Sequence, residues 1–123
     1  MSNQQTLQQQ RAKQANTDVN EVVYGNTSNS EYKSVIRSFP ALIQTDGLAT
    51  ALAFLKAKGK DHHEAAYKHV SNWVMARVAH KDEMSLLDWV QEASTFEYRQ
   101  ATAEALAYTA WLKRFVEAKI SKD

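Results

Sequence analysis

Apolar residues recur every three to four positions through almost the whole chain, the period of a helix with one buried stripe. Nowhere do they alternate in the way a half-buried strand requires. Ala12, Ala15, Val19 and Val22 place a first helix over 1–23, frayed over its first few residues, which are expected to be disordered. The Gly-, Asn- and Ser-rich stretch 24–30 then reads as a loop, with Ser30 as the next N-cap. Glu31 to Phe39 predicts a short helix that ends at Pro40, because the residue before proline is pushed out of the helical region. Pro40 opens another short helix through Thr45, with Gly47 capping its end.

Leu48, Leu52 and Leu55 line one side of a helix over 48–58 that Gly59 stops. Asp61 and Glu64 have capping-box spacing and start a helix of about 18 residues by its pattern. Ala66, Tyr67, Val70, Trp73 and Val74 are its core stripe. His80 to Met84 is a polar connection, and Ser85 with Asp88 starts a helix that ends near Ala93. Ser94 and Glu97 then cap the stretch around which the rest is organised, running to the end of the chain without Gly or Pro. Its first half keeps a polar stripe (Glu97, Gln100, Glu104), while Tyr108, Trp111, Phe115, Leu106, Leu112 and Val116 make its second half apolar nearly all round. Such a helix is normally wrapped by neighbours. The expected fold is all-α: a single-domain bundle, 1–123, of six or seven helices around a long C-terminal helix.

Composition sharpens this picture in a few places. The chain has 123 residues, enough for one domain with its own core, and only three Gly and one Pro, which suits helices. Zero Cys excludes disulfides and thiolate metal sites and fits a reducing cytoplasm. No apolar run reaches the 18 or so residues of a membrane span, and the N-terminus is too polar for a secretory signal, so a cytoplasmic protein is expected. Net charge is +1, but its distribution is uneven. Between 31 and 60 five basic residues (Lys33, Arg37, Lys56, Lys58, Lys60) face two acidic ones. Between 82 and 97 five acidic residues (Asp82, Glu83, Asp88, Glu92, Glu97) face no basic one. A molecule divided in this way can hold a polyanion on one side and repel it on the other. The same distribution also fits ordinary solvated helix faces.

Candidate chemistry is thin. His62-His63-Glu64 lacks the second histidine of a zincin helix, since Tyr67 stands four residues after His63. His62 and His69 share a face but lie about 10.5 Å apart along it, too far for one ion. The expectation is surface histidines and no metal. No phosphate-binding loop, dinucleotide fingerprint or nucleophile elbow occurs, so neither cofactor nor catalytic residue is assigned. The aromatics fall at core spacing rather than as base-stacking platforms. On the last helix Arg99, Thr102, Thr109 and Lys113 form one stripe. Arg11 and Lys13 sit near the head of the first helix. Phosphate contacts need only such a positive surface.

Four segments carry a resemblance: TLQQQRAKQA, EYKSVIRSFPALIQTDGLATALAFLKAKG, SLLDWV and EYRQATAEALAYTAWLKRF. In this order and spacing the chain resembles the small subunit of the type III-B CRISPR effector, the Cmr complex, over nearly its whole length. PALIQT-x-GL paired with YR-x-AT-x-EAL…WL-x-RF is its most specific part, and the histidine-bearing stretch 60–83 is unmatched. The resemblance implies a helical, non-catalytic subunit of an RNA-guided ribonucleoprotein for antiviral defence. Several copies would stack head to tail beside the backbone subunits, with the large subunit as a further partner, lining the channel of CRISPR RNA and target RNA. RNA contacts would come from Arg11, Lys33, Lys58, Arg99, Lys113 and Arg114 in the matched segments, and from Arg37 and Lys56 in the same basic region. Some of these would instead bridge to a neighbouring copy's acidic 82–97 region. The competing reading is a structural helical spacer or protein–protein adaptor without RNA contact.

Overall fold

Six α-helices and one π turn, with no strand, make up the described residues of the computed structural model, 4–80 and 84–121. The frayed start expected for the first residues and the acidic pair Asp82 and Glu83 fall on positions 1–3 and 81–83, outside the described residues.

Helix α1 spans Leu7–Val23. Thr6 and Gln9 form a capping box, with reciprocal hydrogen bonds of 3.0 and 2.8 Å that satisfy two orphan amides. That cap sets the start of the helix at Leu7, later than its pattern suggested. Helix α2 runs unbroken over Asn29–Asp46, with Pro40 inside it. Two expectations fail here. Ser28, not Ser30, is the N-cap, and the two short helices expected around Pro40 are one. Tyr32, Ile36, Phe39 and Ile43 form a buried stripe that continues across the proline. Burying each is worth about 1.5–3 kcal/mol, so together they outweigh the ~3 kcal/mol that an interior proline costs.

Gly47, at φ 90°, ends α2 through its N–H to the Ile43 carbonyl and leads directly into α3, Leu48–Lys58. A glycine has no side chain to cap α3, and the Tyr98 hydroxyl takes over this task by accepting the Ala49 N–H at 2.9 Å. Gly59 then closes α3 in the left-handed region. Helix α4 covers Asp61–Val74, with Lys60 at its N-cap and no side-chain cap. The capping box expected of Asp61 and Glu64 does not form, because both already lie inside the first turn. Their charges suit the helix dipole there. Helix α4 passes into a π turn, Met75–Ala79, closed by His80 at φ 55°.

Helix α5 is only Leu86–Val90, shorter than its pattern implied. Its first amides are held from α4, Leu86 N–H by the Ser71 hydroxyl and Leu87 N–H by the Tyr67 hydroxyl, each at 2.9 Å. Helix α6, Thr95–Lys119, is the expected 25-residue post, and its Ser94–Glu97 capping box is present.

One continuous core joins all six helices. Helix α6 packs on α1, α2 and α4, and α3 lies against α2, α4 and α5. The post is not wrapped all round. Ala101, Ala105, Tyr108, Thr109, Leu112 and Val116 are buried, whereas Ala103, Lys113 and Arg114 face solvent and Leu106, Trp111 and Phe115 are half-buried. Its neighbours cover one side only, and alanines lighten the apolar load of the other. Thr109 therefore leaves the surface stripe expected with Arg99 and Lys113.

Candidate nucleic-acid interface

Between the first half of α2 and the end of α6 lies an open groove of about 660 Å³ lined by Ser30, Lys33, Ser34, Arg37, Ser38, Lys113 and Ser121. Helical spacing brings the α2 members together: Ser30, Ser34 and Ser38 recur at i, i+4, i+8, and Lys33 and Arg37 form the adjoining row. The C-terminal part of α6 supplies Lys113, and the chain just beyond it supplies Ser121. Three cations and four hydroxyls thus converge on one surface.

The three cations are held differently. Lys33 is only 9% exposed, and its Nζ donates to the Ile120 carbonyl at 2.8 Å. It therefore caps the carboxyl end of α6, where positive charge is favourable, and forms the floor of the groove. Arg37 reaches Glu117 at 3.6 Å, with both side chains largely exposed. Such a pair is worth about 0–1 kcal/mol, so a stronger anion can take the guanidinium from it. Lys113 is exposed on α6.

The other basic candidates lie elsewhere. Lys56 and Lys58 stand in the last turn of α3, Lys56 donating to Glu64 at 2.9 Å and Lys58 lying over the Phe54 ring. Arg99 and Arg114 are exposed on α6, Arg114 stacked on Trp111 with 4.7 Å to the ring centroid. Arg11 is turned inward. Its Nε and Nη2 donate to Glu104 at 2.7 and 2.8 Å, and the same carboxylate accepts the Trp73 indole N–H at 2.7 Å. Trp73 in turn stacks on Tyr108, 4.9 Å between centroids. Arg11 thus ties α1 to α6 and, through Glu104, to α4. Burial pushes the Glu104 carboxyl upward, but the Arg11 and Trp73 hydrogen bonds outweigh it and hold the group below its ordinary value.

The histidines depart furthest from expectation. His69 is 2% exposed and His62 is also buried, so they are not surface groups. His69 can be buried because both ring nitrogens have partners: Nδ1 lies 2.8 Å from the Tyr32 hydroxyl and Nε2 lies 2.7 Å from Glu21. An ionised carboxylate only accepts, so Nε2 carries the proton, and in the neutral ring Nδ1 accepts from Tyr32. Nearby, the Tyr108 hydroxyl donates to Asp18. These contacts connect α1, α2, α4 and α6. Tyr32 and His69 are spent on this network and sealed from solvent, so the arrangement serves packing and presents no open catalytic group. Among the described residues no cluster of His, Asp and Glu could hold a metal ion, and no helix is long and apolar enough to cross a membrane.

The network has a pH consequence. Burial raises the Asp18 carboxyl above its ordinary value, partly offset by His69 and by the hydrogen bonds from Tyr108 and Gln14. A folded-state pKa above the unfolded one means that ionised Asp18 costs stability, a cost present above the folded pKa and gone below the unfolded one. Asp18→Asn, which keeps an acceptor for Tyr108, is therefore expected to raise Tm at pH 7. The advantage should fade as pH falls through the folded value toward about 4, and Tm measured against pH for both proteins checks this.

The family model for CRISPR-associated protein (Cas_Cmr5) matches residues 7–119, a span that takes in the histidine-bearing stretch. The chain belongs to the Cmr5 family. It is 32% identical, over 117 residues, to the CRISPR system Cmr subunit Cmr5 of Thermus thermophilus, covering 95% of this chain and 98% of that protein. The crystal structure of a CRISPR-associated Cmr5 family protein from the same organism superposes with a TM-score of 0.82 at 30% identity, covering 95% of this chain and all of that one. The Cmr5 fold therefore accounts for nearly all of this chain, and the α2–α6 groove lies almost wholly within the matched residues, with only Ser121 beyond them.

Proposed function

We propose that this Cmr5-family chain is the non-catalytic small subunit of a type III-B Cmr ribonucleoprotein. In this reading several copies stack beside the backbone subunits and line the path of guide and target RNA, in antiviral defence in the cytoplasm. The observation that carries it is the groove of Lys33, Arg37 and Lys113 with four serine hydroxyls, set in a chain with the Cmr5 fold. Cations with hydroxyl donors suit phosphate oxygens and carry no base preference, which is what a guided complex needs when pairing reads the sequence. Arg37 and Lys113 are the two groove cations that can turn toward a strand. Lys56, Lys58, Arg99 and Arg114 add positive surface for the same RNA or for an acidic face of a neighbouring subunit, such as Asp88, Glu92 and Glu97 of the next copy. The contribution of Arg11 is to hold the bundle together.

A subunit of this kind makes the assembly's hold on RNA depend on salt, because each phosphate contact releases counterions. The test is RNA retention by the assembly with and without this chain as salt is raised. A purely structural spacer would leave the dependence unchanged.

A further inference from the structure

Among the described residues three large apolar side chains are exposed: Tyr24 at 83%, Phe96 at 69% and Phe54 at 44%. Their surroundings differ in charge. Tyr24 stands at the end of α1, three residues after Glu21, and Phe96 lies between Glu92 and Glu97 at the start of α6. Phe54 lies on α3 in the basic part of the chain. The Lys58 Nζ sits 5.4 Å from its ring centroid, and the His63 ring meets it edge to face, 6.4 Å between centroids and 82° between planes. His63 in turn lies 4.3 Å from His62, and its Nδ1 is buried without a hydrogen-bond partner.

An unpartnered ring nitrogen costs stability, so polar bonding does not explain the placement of His63. Ring packing does: His63, itself packed against His62, braces one side of Phe54. Burial first, then the charges of His62 and Lys58, hold the His63 imidazole below its ordinary value. Lys58, Lys60 and His62 act on this spot, with Glu31 as the opposing charge. Lys58 is exposed on a flexible stem, and its hold on the phenyl face is an exposed cation–π contact that a better partner can displace.

We propose that Phe54, braced by His63, is a stacking platform for one unpaired nucleobase of single-stranded RNA, with Lys58 moving from the ring to the adjoining phosphate. Stacking on an aromatic ring is tolerant of sequence because every base has a π face, and it draws on a part of the strand that the serine-lined groove does not use. This inference rests on the RNA-channel reading and adds a base contact to it. Phe96 and Tyr24 do not qualify, since carboxylates beside them oppose an approaching phosphate backbone.

The test uses the full chain at low salt, with fluorescence anisotropy of labelled oligouridine and oligoadenosine. A strand of equal phosphate number built from abasic residues serves as the comparison. Wild type is expected to bind the base-bearing strands more tightly than the abasic one. Phe54→Ala should lower affinity for the base-bearing strands by about 5- to 150-fold, the range for one stacked base. It should leave the abasic strand and the salt slope unchanged. Phe54→Trp should retain binding, and Phe54→Leu, which keeps apolar bulk on α3, should lose it like Ala. Equal binding of both strand types by wild type, or equal losses on both in Phe54→Ala, overturns the platform while leaving the RNA reading intact. If wild type binds neither strand, the platform is overturned, while the RNA reading stands or falls on retention by the assembly.

Discussion

Neutralising Arg37 and Lys113 together, as Arg37→Gln with Lys113→Gln, is expected to weaken RNA retention by the assembled complex by about 25-fold per engaged copy at 0.1 M salt. The figure follows from the counterion rule: each phosphate contact on a single strand contributes about 0.7 to the log–log salt slope, so losing two lowers it by roughly 1.4. Both side chains are exposed, and Arg37 gives up only the weak 3.6 Å pair with Glu117, so the fold should be untouched. Lys33 is left in place because its bond to the Ile120 carbonyl closes α6, and removing it would mix folding with binding. Titrating labelled RNA against the wild-type and doubly substituted assemblies at several salt concentrations reads the effect. An unchanged slope would remove the groove from the RNA path.

The largest effect on stability is expected at Glu104. Glu104→Ala leaves the Arg11 guanidinium without its two-pronged partner and the Trp73 indole N–H without an acceptor. Breaking a buried ion pair from one side costs about 3–5 kcal/mol, and both groups here keep some solvent contact. A loss of about 3 kcal/mol is therefore expected, a fall in Tm of about 10 °C or more for a domain of this size. Glu104→Gln should lose about half as much, since the amide oxygen still accepts one bond. Arg11→Ala separates the structural role of Arg11 from an RNA contact: its Tm should fall nearly as far as that of Glu104→Ala. A normal Tm with weakened RNA binding would place Arg11 on the RNA instead.

Some features decided within one helical turn were legible in the sequence, though the N-cap at Ser28 and the uncapped start of α4 were not. The Ser94–Glu97 capping box, the end of α3 at Gly59 and the length of α6 all depend on neighbours three or four positions away. Pro40 was not legible, because local sterics argue for a break and only the core stripe of Tyr32, Ile36, Phe39 and Ile43 overrides them. Neither were the buried histidines. His69 is accommodated by Glu21 and Tyr32, partners 48 and 37 residues away that no spacing rule brings together. The same holds for Arg11, whose charge reads as surface until Glu104, 93 residues on, is found beside it. Half of the groove could be read, since Lys33 and Arg37 are one turn apart, but Lys113 and Ser121 join them only through packing of α6 on α2.

The measurement that bears most directly on the whole reading compares RNA retention by the complete assembly and by one lacking this chain, each across a range of salt. An RNA-lining subunit predicts that the complete assembly holds RNA more tightly, with a log–log slope steeper by at least about 1.4 for each copy engaged, the share of Arg37 and Lys113 alone. Identical slopes and affinities, with the assembly otherwise intact, would contradict it and leave the chain as a spacer.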